Sequence, residues 1–198
     1  KSDFYYVELP ELSEDCLYLN VATNAVQGDE QKPVYVWFHG GGLRHGYSSE
    51  VEFDPNTLAS KDVIVVTIGQ RLGVFGYMAL PQLSEESGYN GSGNYGLMDE
   101  IKAMEWVKNN IAAFGGDPNN ITVGGQSGGT SKSAALFVAE QSRDMAQRAI
   151  WESGLKWTGK FAALADAEKQ GVTWLQHLGL TGNESLQELR AMDAKLFL

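Results

Sequence analysis

Ile121-Thr122-Val123-Gly124-Gly125-Gln126-Ser127-Gly128-Gly129 runs from a short β-branched strand into an apolar helix that begins near Gly128. At the junction stands GxSxG, the nucleophile-elbow pattern. A serine sits at the top of a strand, on a turn too sharp for side chains at the flanking positions, with a helix N-terminus behind its hydroxyl. Glycines two residues before and after Ser127 allow that turn. In a chain with 23 glycines the same letters also describe a plain Gly-Ser loop at a strand end, so the surrounding sequence has to decide.

Upstream, Val34-Tyr35-Val36-Trp37-Phe38 is a continuous apolar run, as expected of a strand buried on both faces, and it ends in His39-Gly40-Gly41-Gly42. Three successive glycines at the carboxyl end of a strand leave backbone N–H groups unobstructed, so that they can aim at a developing oxyanion. Removing one such donor elsewhere costs roughly 3 kcal/mol of barrier lowering. Strand, HGGG, strand, GxSxG and helix in that order is the arrangement of an ester-hydrolysing α/β-hydrolase.

The rest of the chain alternates strand and helix. Residues 17–23, 34–39 and 63–69 read as strands, the last two nearly uninterrupted in β-branched or aromatic residues. Residues 94–114 form the longest helical segment, with Leu97, Ile101, Met104, Val107 and Ile111 three to four apart. Gly115 to Asn120 ends it and leads into a strand over 121–124. A helix over 129–140 follows Ser127, and 148–152 reads as a further strand. Residues 84–93, rich in Ser, Gly, Glu and Asn, read as a surface loop. The pattern predicts an α/β fold with a doubly wound, mostly parallel sheet, whose site lies beyond the carboxyl ends of the strands. HGGG and Ser127 both fall there.

With 198 residues, 43% of them hydrophobic, the chain has the length for one domain with a sizeable core. A net charge of -10 with only 15 scattered basic residues argues against nucleic acid as a partner, because phosphate binding needs clustered Lys and Arg. No run approaches the apolar length of a membrane span. No clustered His, Cys or acidic residues offer a metal site, and neither metal nor organic cofactor is expected.

Seven blocks carry a resemblance: Ser13 through Val21, Pro33 through Gly42, Arg71 through Gly76, Gly93 through Asp99, Trp106 through Ile111, Phe114 through Pro118, and Glu152-Ser153-Gly154. In order and spacing they resemble the type B carboxylesterase family, which includes the cholinesterases. The resemblance covers residues 13–155; the tail over 155–198 is similar only in reading as helical. It implies an α/β-hydrolase fold and a carboxylic ester hydrolase that passes a small-molecule ester through a serine acyl-enzyme. Residue by residue it implies Ser127 as nucleophile and the amides of Gly41, Gly42 and Gly128 as oxyanion donors. Ser153 matches a supporting serine near the acid of the triad. Gln126 stands where the family usually has glutamate, and Gly128 where it usually has alanine. Ile68-Gly69-Gln70 replaces a segment that usually ends in Asn-Tyr, which alters one wall of the site. Leu43, Tyr47 and Phe75 are candidate pocket residues, an apolar and aromatic set suited to medium or aromatic acyl or alcohol groups; the same three also fit a core. Cys16 matches a cysteine that is disulfide-bonded in secreted animal members; here it reads as a free buried thiol, and the compartment stays open between secreted and cytoplasmic.

Nucleophile, acid and histidine follow one another in that chain order in α/β-hydrolases, and only His177 follows Ser127. It lies in an amphipathic helical pattern over 163–180 and reads as a helix-surface or core-edge residue. His39 belongs to HGGG, and His45 reads as a solvated loop residue. The acids after Ser127 look like ordinary polar faces. The family's domain is more than twice this long, with acid and histidine in its second half. Residues 1–198 are therefore expected to be the N-terminal part of a single domain whose remainder is a necessary partner, inactive alone, with an unpaired edge at 148–152. The contrasting expectation is a catalytically silent, adhesion-type interaction module; an intact Ser127 and HGGG favour the enzyme.

Overall fold

Val34, Val36 and Phe38 alternate along one strand, Ile64, Val66 and Ile68 along a second, and Ile121 and Val123 along a third, and all are buried. A period of two puts each set on one face, and the register sets them side by side: Val34 opposite both Ile64 and Ile121, Val36 opposite both Val66 and Val123. The computed structural model that shows this describes residues 11–154 and 162–198. Residues 155–161, where the expected helical tail begins, lie outside them.

The strands are β1 (Leu19–Ala22), β2 (Lys32–Phe38), β3 (Ile64–Ile68), β4 (Gly116–Gln126) and β5 (Arg148–Glu152). They form one sheet in the order β1-β3-β2-β4-β5. β1 pairs antiparallel with β3, and every other pairing is parallel. Short helix α1 (Asn56–Ala59) lies between β2 and β3, and α2 (Gly73–Tyr77) and α3 (Pro81–Glu86) lead from β3 to the long helix α4 (Tyr95–Asn110). After β4 come α5 (Gly128–Val138), then α6 (Leu164–His177) and α7 (Leu186–Ala191). Met104, Val107 and Ile111 below the sheet and Leu136 of α5 complete the core with the strand residues. Burying a residue of this size is worth about 1.5–3 kcal/mol. No described helix is long and apolar enough to cross a membrane.

Beyond shifts of one to three residues at element ends, the structure differs from the sequence expectation in three elements. β4 begins at Gly116 rather than Ile121, because Lys32 pairs with Gly116 before an irregularity shifts the register at Val34. α3 takes in the first residues of the expected surface loop at 84–93: Pro81 occupies its first turn, where a missing N–H costs nothing, and buried Ser84 bonds Ser92 (2.7 Å). In α4 the buried face is Gly96, Asp99, Glu100, Met104 and Val107, while Leu97 and Ile101 are only half-buried beside it. The helix passes into a 3₁₀ turn at Ile111–Phe114 and stops at Gly115, whose φ of 84° is left-handed. Cys16 is half-buried and free; burial, with Asp99 nearby, pushes its thiol pKa up.

Candidate active site

From β2 the chain moves outward to β3, then crosses back through α4 to β4 on the other side of β2. The reversal leaves a crevice at the carboxyl ends of β2 and β4, where parallel α/β sheets place their sites. Phe38 ends β2 opposite Gly125 of β4, so the His39–Gly42 loop and the Ser127 turn start side by side.

Ser127 holds φ 56° and ψ -117°, a strained conformation for a residue with a Cβ. Surrounding bonds impose it. Its N–H donates to Glu152 O (2.8 Å), its carbonyl accepts from Thr130 N (3.0 Å), and the Thr130 hydroxyl lies 2.8 Å from Gly125 O and 2.9 Å from Glu152 O. The serine is thus the N-cap of α5, with the amide ends of the first helical turn beside it.

The glycine loop folds onto that turn. Arg44 N and His45 N both donate to Gly41 O (3.1 and 3.3 Å), and Gly41 has φ 86°, so a side chain there would be strained and would strike His45 O. A methyl group on Gly128 would stand 2.8 Å from Gly42 N and 3.3 Å from Leu43 N; the bare α-carbon lets the two segments close. Gln126 lies against Gly40, its side-chain oxygen 3.0 Å from the point a Gly40 Cβ would occupy. The structure therefore brings Ser127, Gln126 and Gly128 together with Gly41, Gly42 and Leu43.

The remaining candidates sit on the segments around this turn. Leu43 O accepts from Gly73 N (2.7 Å) at the start of α2. α2 carries Phe75 edge-on to Phe197, and Phe197 stacks on Trp174 of α6. Tyr47 is half-buried in the loop after HGGG, its N–H directed at Glu50 Oε1 (3.4 Å), and partial burial pushes its phenol pKa up. Ser153 is exposed just past β5, with φ 55°. His177 is exposed on α6, its Nδ1 2.8 Å from Thr173 O within the same helix. Arg71, after β3, is locked to Asp99 of α4 by two side-chain bonds (2.8 and 2.6 Å) and a backbone one (3.0 Å).

His39 is buried, and burial followed by the neighbouring Lys132 charge lowers its pKa to about 3. It is a neutral ring packed beneath its own loop. Sequence reasoning missed what surrounds it: Lys132 of α5 and Gln70 after β3, with Glu100 of α4 acting on Lys132 in turn, all three buried. One signal was legible. Glu100 continues the spacing of Gly96, Met104, Val107 and Ile111, and Lys132 is the one charged residue of α5; apolar periodicity passes over both because it counts charged residues as surface.

The carboxylesterase family profile, described as "Carboxylesterase family", matches residues 2–196. The chain is 43% identical over 161 residues to fumonisin B1 esterase of Sphingopyxis macrogoltabida, covering 81% of this chain and 29% of that protein. It is 40% identical over 191 residues to para-nitrobenzyl esterase of Bacillus subtilis, covering 96% of this chain and 37% of that one. A solved PNB esterase superposes with a TM-score of 0.84 at 40% identity, over 98% of this chain and 39% of the other. A Geobacillus stearothermophilus carboxylesterase superposes at 0.85 and 36% identity, over 97% and 41%. The chain thus spans roughly two fifths or less of the length of these relatives.

Proposed function

Because the chain belongs to the carboxylesterase family, we propose that it supplies the nucleophile and oxyanion half of a serine carboxylic ester hydrolase. Ser127 Oγ attacks the ester carbonyl carbon and gives its proton to a histidine supplied from outside this chain. The amides of Gly41, Gly42 and Gly128 receive the resulting oxyanion. The C–O bond to the alcohol breaks as the histidine returns the proton to it, leaving an acyl group on Ser127. Water, deprotonated by the same histidine, then releases the acid and restores the serine. The acid that orients the histidine also comes from outside. Gln126 and Ser153 support the turn, and Leu43, Tyr47 and Phe75 shape the pocket for an acyl or alcohol group.

The observation that carries this reading is the strained Ser127 turn closed against the Gly42 backbone. It places a serine at a helix N-terminus beside unshielded amides, the geometry acyl transfer requires. The two relatives are named as esterases, and this chain's substrate is proposed to be a small carboxylic ester. A fluorophosphonate probe on the full-length protein is expected to label Ser127, and Ser127→Ala to lower kcat on the order of 10⁶ with the fold intact. An unlabelled serine in a protein without turnover would favour the silent interaction module, and a variant keeping more than a tenth of ester turnover would overturn Ser127 as the nucleophile.

A further inference from the structure

Lys132 and Glu100 are two ionisable groups of opposite sign, buried together where α4 meets α5. Lys132 is 2% exposed and Glu100 0%. Neither Glu100 oxygen has a hydrogen-bond partner among the described residues, and no ion-pair contact joins the two, so they compensate each other through space. Burial pushes the Glu100 carboxyl up and the Lys132 ammonium down, and each pulls the other back toward its charged form. An uncompensated charge at such depth costs several kcal/mol. A fold that keeps both has a use for at least one.

Lys132 Nζ shows where that use lies. It donates to the main-chain oxygen of His39 (3.1 Å), the residue from which the glycine loop departs, and stands 3.5 and 3.4 Å from the two nitrogens of the His39 ring. It also donates to the Gln70 side-chain oxygen, once the Gln70 amide is turned so that its nitrogen donates to Ile68 O (3.2 Å) and its oxygen receives His39 Nε2 (3.0 Å). The opposite orientation would set two N–H donors face to face. One ammonium therefore ties the end of β2, the segment after β3 and α5 into a single unit, and α4 supplies the counter-charge.

We propose that Lys132, with Glu100 as its buried counter-charge, is a positioning residue that anchors the root of the glycine loop to the helix carrying the Ser127 turn, and so holds the Gly41 and Gly42 amides in register with Gly128. The catalytic part rests on the ester-hydrolase reading; the anchoring part does not. The loop leaves the sheet at His39, and Gly42 lies against Gly128 only three residues later. Oxyanion donors lose effect when displaced by about 1 Å. A donor fixed to α5 and bonded to His39 O sets the loop's origin in the frame of α5 itself. The other titratable groups nearby are Asp99 on α4, held by Arg71, Glu50 in the loop after HGGG, and His45 near the His39 ring.

The test uses the full-length protein with Lys132→Met, Glu100→Gln and the double variant. Removing both charges leaves a neutral core, so the double variant is expected to regain the stability the single variants lose. If the anchor is Lys132, the double variant stays defective in two ways. Amide exchange at Arg44, His45 and Gly73, which bond Gly41 O and Leu43 O, rises at least about tenfold. The kcat falls roughly tenfold or more while KM holds, because the loop acts on charge present only in the transition state. Unchanged exchange in a stably folded double variant overturns the anchoring role. Faster exchange with unchanged kcat in a protein labelled at Ser127 overturns the catalytic part. A wild-type protein without label or turnover defeats the ester-hydrolase reading instead, and the exchange result still decides the anchor.

Discussion

Gly41 accepts two amides in a turn that only a left-handed φ allows, and nothing larger fits under His45 O. Gly41→Val is therefore expected to lower kcat by about 10²–10³ with little change in KM, since in the proposed mechanism the donors act on the tetrahedral oxyanion rather than on bound ester. Steady-state kinetics with a chromogenic ester check this, and a rise in KM alone would assign the glycine to binding. His39 makes a second prediction at this scale. Its pKa is about 3 in the fold against a reference value of 6.5. Between those values the unfolded chain binds the proton that the folded chain refuses. Stability is thus fully present above about pH 6.5 and drains away as pH falls toward 3, by about 2 kcal/mol at pH 5 from this residue alone. Urea midpoints at pH 7 and pH 5 are expected to show a smaller pH dependence in His39→Gln. The residues of the candidate site were largely legible, because glycine patterns announce backbone geometry directly. The shared burial of Lys132, Glu100 and Gln70 was not, although Gln70 stood out in the site wall and the two charges on otherwise apolar helix faces, since that burial depends on α4 and α5 meeting, which no local window of sequence contains.

The link between the end of β3 and α4 is a fork-to-fork pair: Arg71 reaches Asp99 through two side-chain nitrogens and its own amide. The Asp99 side chain is 6% exposed. Arg71→Met strands that carboxylate with only an amide for company, and is expected to destabilise the protein by about 3 kcal/mol; adding Asp99→Leu is expected to recover much of the loss. Thermal or denaturant unfolding of the two variants measures it, and a single variant within 0.5 kcal/mol of wild type would count the pair as superficial. At the element scale the sequence placed every strand of the sheet, because continuous β-branched runs have few alternatives. It erred where the cause was tertiary: β4 starts early through a partner strand, and α4 turns its charged Asp99 and Glu100 inward because Arg71 and Lys132 wait there.

Over the whole molecule, β5 is the outer strand beside the candidate nucleophile, with Ile150 49% and Trp151 41% exposed. Apolar strand edges template association. Residues 1–198 expressed alone are expected to self-associate and to hydrolyse no ester. Ile150→Lys should lower the associated fraction in sedimentation without conferring turnover, and a monomeric, active fragment would contradict this. The doubly wound, mostly parallel class was readable from the alternation of elements, whereas the order of the strands and the neighbours of β5 depend on which strands pair. One bond of this region also sets a clock. The Ser127 turn is held by the Glu152 carbonyl, and Glu152 leaves the ribosome after Ser127 does. While β5 is still in the exit tunnel, the serine's amide and the Thr130 hydroxyl lack that acceptor, and the strained conformation has less to enforce it. Synthesis thus delivers the serine early and its tension late, so a half-made chain carries a relaxed hydroxyl rather than a primed one.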